Sequence, residues 1–221
     1  YFFSAESLRT VEPTTKVLTT TFRQKDQKFV SLLNNIRVGK DLETTIGVLN
    51  AHCYKTDGAA EAVMTLTTIN AKADNINQSK LERIDEPAHI YEAMLEGDFG
   101  ELENQLPAPR ILELRVGAQI MFLKNHADWV NGTVGKILEL GDESARVAIE
   151  SGSFKGEVTV FRETWERVKY TWDKEGQRIT KETVGKYTQL PFRLAWAVTI
   201  HKAQGLTLES VTIDLDRGTF E

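Results

Sequence analysis

The sequence predicts an α/β protein with a parallel sheet, into which a small all-β domain is inserted. A strand-like segment at 63–69 is followed by a helix-like segment at 71–84, the order typical of α/β layers. Residues 111–189 contain short strand-like segments separated by turn residues, as in a small barrel or sandwich. An apolar run and a strand-like alternation at 190–215 then return to the α/β pattern. The predicted domains are residues 1–110 with 190–221, and the inserted residues 111–189.

The first elements of the chain read as a strand and an amphipathic helix. Lys16–Thr21 is predicted to be a short strand. Asp26–Arg37 is predicted to be a helix that ends at Gly39, since glycine is common just beyond a helix terminus. One face of this helix is apolar and consists of Phe29, Leu32, Leu33 and Ile36.

The next strand and helix are followed by an acidic stretch. The helix at 71–84 has Asn70 or Thr68 as its predicted N-cap, because both side chains can accept a hydrogen bond from the first turn. Residues 85–110 are predicted to be irregular and to end at Pro107-Ala108-Pro109, a natural boundary.

The inserted region is predicted to consist of short strands. Asn131-Gly132 is a strong hairpin-turn signal within it. Trp129, Phe161, Trp165 and Trp172 alternate with cationic residues, which could stack bases and follow phosphates, but buried core aromatics are commoner in a small barrel. The predicted strands are Leu112–Leu123, Thr133–Leu140, Ala145–Glu150, Gly156–Phe161, Glu166–Trp172 and Arg178–Gln189.

The composition is that of a globular protein, with 41% hydrophobic and 27% charged residues. The formal net charge of −5 disfavours nucleic-acid binding at first sight. However, residues 82–103 contain eight acids and one base, and the remaining residues hold 26 bases and 24 acids. The acidity is therefore local, and we expect that segment to be a solvated surface facing away from any nucleic acid.

Cysteine content and hydropathy limit the other classes. The one cysteine, Cys53, excludes an internal disulfide and suits a reducing compartment. Its neighbour His52 completes at most half of a metal site, so we predict no metal site in this chain. No apolar run approaches the roughly 20 residues that a membrane span needs, so no membrane association is expected.

The segment Thr199–Thr207 concentrates more chemistry than any other part of the chain. Its nine residues, TIHKAQGLT, include two hydroxyls, an imidazole, an ammonium, an amide and a glycine. Such groups donate hydrogen bonds to a phosphate and neutralise it, and glycine lets the backbone approach closely. A core has no need of this set, so the segment predicts contact with a nucleic-acid or nucleotide phosphate.

Four blocks of this sequence, in order, resemble the PIF-type and RecD-type branch of superfamily 1 DNA helicases. Thr199–Thr207 within Leu190–Leu215 closely resembles motif V of that branch. Thr19–Gln24, with the helix-like stretch after it, resembles motif IV, and Leu66–Asn77 resembles motif IVa. The stretch from Leu114 to Gly135 resembles the start of the small barrel inserted in the second motor domain of these helicases.

The resemblance implies a second RecA-like motor domain with an inserted Src-homology-3-like barrel. It places the chain between helicase motifs III and VI, as a piece of a larger helicase. The sequence contains no GxxxxGK[ST] phosphate-binding loop, so ATP and Mg²⁺ are expected to be bound mainly by a first motor domain outside this chain. The implied activity is ATP-driven 5′ to 3′ translocation on single-stranded DNA with duplex unwinding, and the chain alone is expected to be inactive.

The resemblance also assigns roles to residues. Arg23 is expected to reach the γ-phosphate as an arginine finger, the alternative being a structural salt bridge. Residues expected at the ATP cleft are Gln24, Gln204, Gly205 and Thr207. Residues expected to contact DNA are Thr67, Thr68, Asn70, Lys124, Asn125, Thr199, His201 and Lys202. For Thr67, Thr68 and Asn70 an ordinary capping role is an equally good interpretation.

Other functions stay open at this stage. A non-catalytic nucleic-acid-binding or protein-binding module with a helicase-derived fold is one alternative, and a RecD-like subunit of an exonuclease complex is another. A phosphate-binding loop upstream of this segment in its gene would favour the motor. We expect a monomeric motor whose partners are single-stranded DNA and ATP. The bacterial cytoplasm is the favoured location, with the nucleus or mitochondrion expected for a eukaryotic source.

Overall fold

The chain forms two compact units, residues 1–60 and residues 61–221. None of the described helices is long and apolar enough to cross a membrane. The computed structural model describes residues 4–11, 13–19, 26–53, 64–100, 106–149, 155–206, 208 and 210–215.

Residues 1–60 contain a short 3-10 helix at Glu6–Arg9 and the helices α1 (Gln27–Val38) and α2 (Leu42–Cys53). The predicted α1 is confirmed to within one residue at each end. It begins at Asp26, whose carboxylate accepts the backbone N–H groups of Lys28 and Phe29 at 2.8 and 3.2 Å. It ends at Gly39, whose φ of 69° is the left-handed conformation that favours glycine at this position.

The strand predicted at Lys16–Thr21 is wrong for residues 16–19. These residues are in no helix or strand, and the side chains of Val17 and Leu18 are 78% and 94% exposed. A strand needs a hydrogen-bonded neighbour, and none pairs with residues 16–19 in the part of the chain that the structure describes. Thr20 and Thr21 lie outside the described residues.

Residues 61–221 combine a parallel sheet with antiparallel sheets, as the predicted α/β class with an all-β part requires. The helices here are α3 (Asn70–Glu82) and α4 (Ile200–Ala203). The described strands are β1 (Met64–Thr67), β2 (His89–Glu92), β3 (Met94–Gly97), β4 (Ile111–Leu114), β5 (Gln119–Phe122), β6 (Val134–Leu140), β7 (Ser144–Ile149), β8 (Gly156–Phe161), β9 (Glu163–Asp173), β10 (Arg178–Gln189), β11 (Phe192–Leu194), β12 (Ala197–Thr199) and β13 (Val211–Asp214).

The parallel sheet has the strand order β12–β1–β13, with β1 parallel to both neighbours. Helix α3 follows β1 and packs against β1 and β12 through a face that buries Ala73, Asn77 and Leu81. Met64 of β1 and Val198 of β12 belong to one apolar cluster. This strand–helix–strand arrangement is the α/β unit that the sequence pattern predicts.

The single strand predicted at Leu112–Leu123 is wrong, because the chain breaks into β4 and β5. Gly117 lies between them with a φ of 89°, and its N–H donates to the carbonyl of Ile137 at 2.8 Å. The left-handed conformation turns the chain, so β4 pairs with β2 while β5 enters a different sheet.

Residues 85–110 are less irregular than predicted, because they include β2 and β3. β2 pairs with β4, and β3 pairs with β10 about 90 positions further along the chain. In β2 only Tyr91 is buried, so the strand lacks the repeated apolar alternation by which a strand is recognised in sequence. These strands are held by partners that are distant in sequence, and the polar residues around them give no strand pattern.

The antiparallel part contains a five-stranded sheet, β11–β5–β6–β7–β8, and a long hairpin, β9–β10, with β3 on its edge. The predicted bounds of β8 and β10 are confirmed at both ends. β3 and β11, predicted to belong to the α/β part, pair with β10 and β5 of the predicted insertion. The domain boundaries and the Src-homology-3-like form stay predictions.

Candidate nucleic-acid interface

The parallel sheet brings the ends of the two motif-bearing strands together. Thr67 at the end of β1 lies beside Thr199 at the end of β12 on one side, and beside Asp214 of β13 on the other. Carboxyl ends of parallel strands form the edge at which α/β proteins bind ligands. We call this edge, with the first turns of α3 and α4, the carboxyl edge of the sheet.

The N-terminus of α3 does not use the predicted caps. The capping position is Ile69, and no side chain caps the helix with a hydrogen bond. Asn70 is instead the first helical residue, and its Oδ1 accepts from the Nζ of Lys202 at 3.0 Å. The predicted cap is therefore wrong, because the amide is engaged by a cation that comes from motif V, 132 residues away.

Thr67 and Thr68 have buried hydroxyl groups. Thr67 is fully buried, and neither Oγ1 atom has a hydrogen-bond partner among the described residues. Burying a hydroxyl without a partner costs free energy, so such atoms are unusual and often mark functional sites. Their contact with DNA stays a prediction.

Motif V continues from β12 into the short helix α4. Thr199 is 4% exposed and occupies the N-cap position of α4, without a hydrogen bond from its side chain to the helix. The side chains of His201 and Lys202 are exposed on α4. Gln204 ends α4, and Gly205 turns the chain with a φ of 85°. Thr207 lies outside the described residues.

A buried amide holds β12 in place. Asn77 is 8% exposed; its Nδ2 donates to the carbonyl of Ala197 and its Oδ1 accepts from the N–H of Ala197, both at 2.8 Å. β12 is paired only on its β1 side among the described strands, so this side chain satisfies backbone groups on the other side. Motif V is thereby fixed to α3.

Two charged residues close to this edge, Arg193 and Asp74, were not among the site residues predicted from the sequence. Arg193 of β11 has a buried Nε with no hydrogen-bond partner among the described residues. Burial lowers its pKa, and the carboxylate of Asp74 opposes this effect. Desolvation also lowers the pKa of Lys202, the charge of Arg193 lowers it further, and Asp74 again opposes. The signal in the sequence was a single cation within the apolar run at 190–198.

A cavity of about 620 Å³ opens beside these charges. We call it the α3 pocket. Its polar lining includes Asn70, Asp74, Arg193, Thr199 and Lys202, and its apolar lining includes Leu106, Ala108, Pro109, Ile111, Leu112 and Leu194.

Lys124 and Asn125 have partners within the protein. The Nζ of Lys124 lies 2.8 Å from a carboxylate oxygen of Glu163 and 5.4 Å from the ring centroid of Trp165. The Oδ1 of Asn125 accepts from the N–H of Asn131 at 2.7 Å and so stabilises the loop before β6. These contacts give both side chains a structural role, and their contact with DNA stays a prediction.

The aromatic residues divide into core and surface. Trp129 is 7% exposed and stacks between Phe122 and His126, which confirms the core interpretation for that residue. Phe161 and Trp172 are 63% and 59% exposed, so for them it is wrong. They lie on strands whose outward positions the alternation alone did not identify.

The predicted ATP-cleft residues Arg23 and Gln24 lie outside the described residues. Within the part of the chain that the structure describes, no three His, Cys, Asp or Glu residues cluster closely enough to hold a metal ion.

Comparison with known proteins agrees with this arrangement. Residues 100–140 match the family model of the 2B domain of the DNA helicase Pif1. The chain is 33% identical to the rat ATP-dependent DNA helicase PIF1 over 98% of its own length and 33% of the relative's length. The chain thus spans about one third of the curated relatives it matches first.

Solved structures give the same result. Unliganded Pif1 from Bacteroides has a TM-score of 0.76 and 31% identity, covering 89% of this chain and 45% of that one. Bacteroides Pif1 in complex with ADP-AlF3 and single-stranded DNA has a TM-score of 0.59 and 32% identity, covering 90% and 45%.

A parallel sheet with hydroxyl, amide and ammonium side chains at its carboxyl edge, joined to antiparallel sheets, matches the architecture of the RecA-like motor domain of Pif1 helicases. The chain belongs to the PIF-type family of superfamily 1 helicases and corresponds to a C-terminal portion of one.

Proposed function

We propose that the protein containing this chain is an ATP-dependent 5′ to 3′ DNA helicase, and that the carboxyl edge of the parallel sheet contacts the phosphates of single-stranded DNA. ATP and Mg²⁺ are bound mainly by a first motor domain outside this chain. Arg23 reaches the γ-phosphate from this side, with Gln24, Gln204, Gly205 and Thr207 near the nucleotide. The motor acts as a monomer.

The observation that carries the proposal is the meeting of motifs IVa and V. Thr67 and Thr199 are register partners, and Lys202 donates to Asn70 across the same edge. The sequence places these residues more than 130 positions apart, and the parallel sheet brings them together. His201 and Lys202 are exposed at that edge, where their imidazole and ammonium groups are available to single-stranded DNA.

The chemistry of these groups favours phosphate over base recognition. Hydroxyls, a cation and helix N-termini bind phosphate oxygens, and such contacts carry no sequence information. A motor that steps along DNA requires this indifference to sequence. Contacts to phosphate also release counterions, so binding is expected to weaken steeply as salt is added.

The experiment is fluorescence anisotropy of the 221-residue chain with a labelled oligothymidylate at several salt concentrations. His201→Ala with Lys202→Ala should weaken binding and reduce the slope of log K against log salt by about 0.7 for each phosphate that the variant no longer neutralises. The matched control is His89→Ala with Lys155→Ala, a pair of exposed residues away from the carboxyl edge.

The control pair should bind like the unchanged chain, and both double variants should melt at nearly the unchanged temperature. If the two double variants weaken binding equally, binding depends only on the net charge of the chain. Absence of binding to single strands at low salt would contradict the proposal.

A further inference from the structure

The α3 pocket is lined by both cationic and apolar side chains. Its cations are Arg193 and Lys202, and its apolar lining includes Ile111, Leu112 and Leu194. The volume of about 620 Å³ lies within the roughly 300–1,000 Å³ range of small-molecule sites. A nucleotide has the same two-part character, with a phosphate joined through a sugar to a flat, largely apolar base.

The charges that line the pocket are not balanced among the described residues. Arg193 has no ion pair within 4 Å among the described residues, and its Nε is buried without a partner. Asp74 is the carboxylate that acts on both Arg193 and Lys202. The other lining carboxylate, Glu113, lies 3.6 Å from Arg115 and is engaged there. Among the described residues that line the pocket, two cations thus face one unengaged carboxylate, an excess that a phosphate would balance.

Part of the apolar lining of the pocket, at Ala108 and Pro109, is held in position by buried side chains. The hydroxyl of Tyr187 donates to the carbonyl of Ala108 at 2.9 Å, and the amide of Gln189 donates to the carbonyl of Pro109 at 3.1 Å. Tyr187 and Gln189 are both fully buried. A wall fixed by buried hydrogen bonds loses little entropy when a ligand binds.

We propose that the α3 pocket holds one nucleotide of the bound strand, with its phosphate at Arg193 and Lys202 and its base against Ile111, Leu112 and Leu194. This inference rests on the proposed single-strand contact at the carboxyl edge. It adds a base-holding subsite to a surface otherwise limited to phosphate, and it makes Arg193 a binding residue.

The pocket is tested by comparing two labelled strands of equal length, oligothymidylate and an oligomer of abasic residues, binding to the 221-residue chain. The unchanged chain should prefer the base-bearing strand by at least about threefold, because a base that packs in a pocket adds binding free energy. Arg193→Gln should weaken binding to both strands, whereas Arg146→Gln, on the exposed face of β7, should not.

The base contact has its own matched pair of variants. Ile111→Gln should remove the preference for the base-bearing strand, whereas Ile179→Gln should keep it. The two isoleucines are 62% and 68% exposed and both lie on strands, so neither substitution opens a core. Thermal melting confirms that each variant is folded, and if Arg193→Gln fails to fold, the isoleucine pair still decides.

The outcomes distinguish this inference from the proposed function on which it rests. Equal affinity for the two strands, or a preference that survives Ile111→Gln, would overturn the base pocket even if the His201 and Lys202 contacts are real. If neither Arg193→Gln nor Ile111→Gln changes the affinity for single-stranded DNA, the pocket binds another ligand, such as an acidic peptide. That result would also overturn the base pocket. Failure of the unchanged chain to bind any strand would overturn the proposed function itself.

Discussion

Replacing Asn77 with alanine should loosen motif V from the rest of the protein. The side chain makes two buried hydrogen bonds of 2.8 Å, and both go to the backbone of Ala197. Asn77→Ala leaves one buried N–H and one buried C=O without partners, each costing about 1–3 kcal/mol. We therefore expect a decrease of roughly 2–6 kcal/mol in the free energy of unfolding of residues 61–221.

The assay combines thermal melting with hydrogen exchange. A decrease of that size corresponds to a lower melting temperature by about 4–24 °C for a unit of this length, at roughly 2–4 °C for each kcal/mol. The backbone amide of Ala197 should also exchange faster, because it donates to Asn77 in the unchanged protein. Asn75→Ala is the matched control, since Asn75 lies on the same helix with an exposed side chain. Its effect should stay within about 0.5 kcal/mol.

Two results would refute this reasoning. Melting temperatures that are alike for Asn77→Ala and Asn75→Ala would show that the two hydrogen bonds of Asn77 add no stability. Continued protection of the Ala197 amide in Asn77→Ala would show that its hydrogen bond is not the one described.

Three further predictions concern the motor. The 221-residue chain alone should show no DNA-stimulated ATP hydrolysis, since it has no phosphate-binding loop. DNA-stimulated ATP hydrolysis by the purified chain would contradict this. In the whole protein, Arg23→Ala should leave ATP and DNA binding nearly intact and lower steady-state turnover by roughly 10³-fold or more, with little rescue by Arg23→Lys. A lower melting temperature with near-normal turnover would instead make Arg23 a structural residue. The affinity of the chain for single-stranded DNA at constant salt should fall as pH rises through the pKa of Lys202, because neutral lysine no longer attracts phosphate. Desolvation and the charge of Arg193 hold this pKa below 10.5. Lys202→Arg should flatten that decline, and an unchanged pH profile would count against a phosphate contact by Lys202.

Local signals predicted the elements that local chemistry determines. α1 was predicted to begin at Asp26 and to end at Gly39, and the structure has its N-cap at Asp26 and its C-cap at Gly39. The bounds of β8 and β10 were also correct, because turn residues flank strands with clear alternation. These features depend on residues within a few positions of one another.

Long-range pairing accounts for most of what the sequence did not reveal. β2 and β3 are short strands in an acidic segment, and distant partners hold them. The pattern predicts that Asn70 or Thr68 caps the helix, but Lys202 of motif V engages the side chain of Asn70. Position 193 is one cation in an apolar run, and only the fold places it beside Asp74 of α3.

The candidate site was predicted mainly by resemblance. Composition and spacing indicated phosphate contact at Thr199–Thr207, but the resemblance supplied the link to the motif at Thr67–Asn70. The parallel register of β1 and β12 now gives that link a physical basis. The same resemblance could not show that Lys124 is held by Glu163, because an ion pair between loop and strand depends on packing.

The most direct test of the carboxyl edge as the DNA-binding surface is a backbone amide spectrum of the isotope-labelled chain, titrated with a short oligothymidylate at low salt. The largest shifts should fall on the amides of residues 67–70 and 199–202, and they should reverse when salt is added. The amides of β7 and β8 should stay unchanged. Shifts confined to β7 and β8, or none at 67–70 and 199–202 while the strand binds, would contradict the assignment.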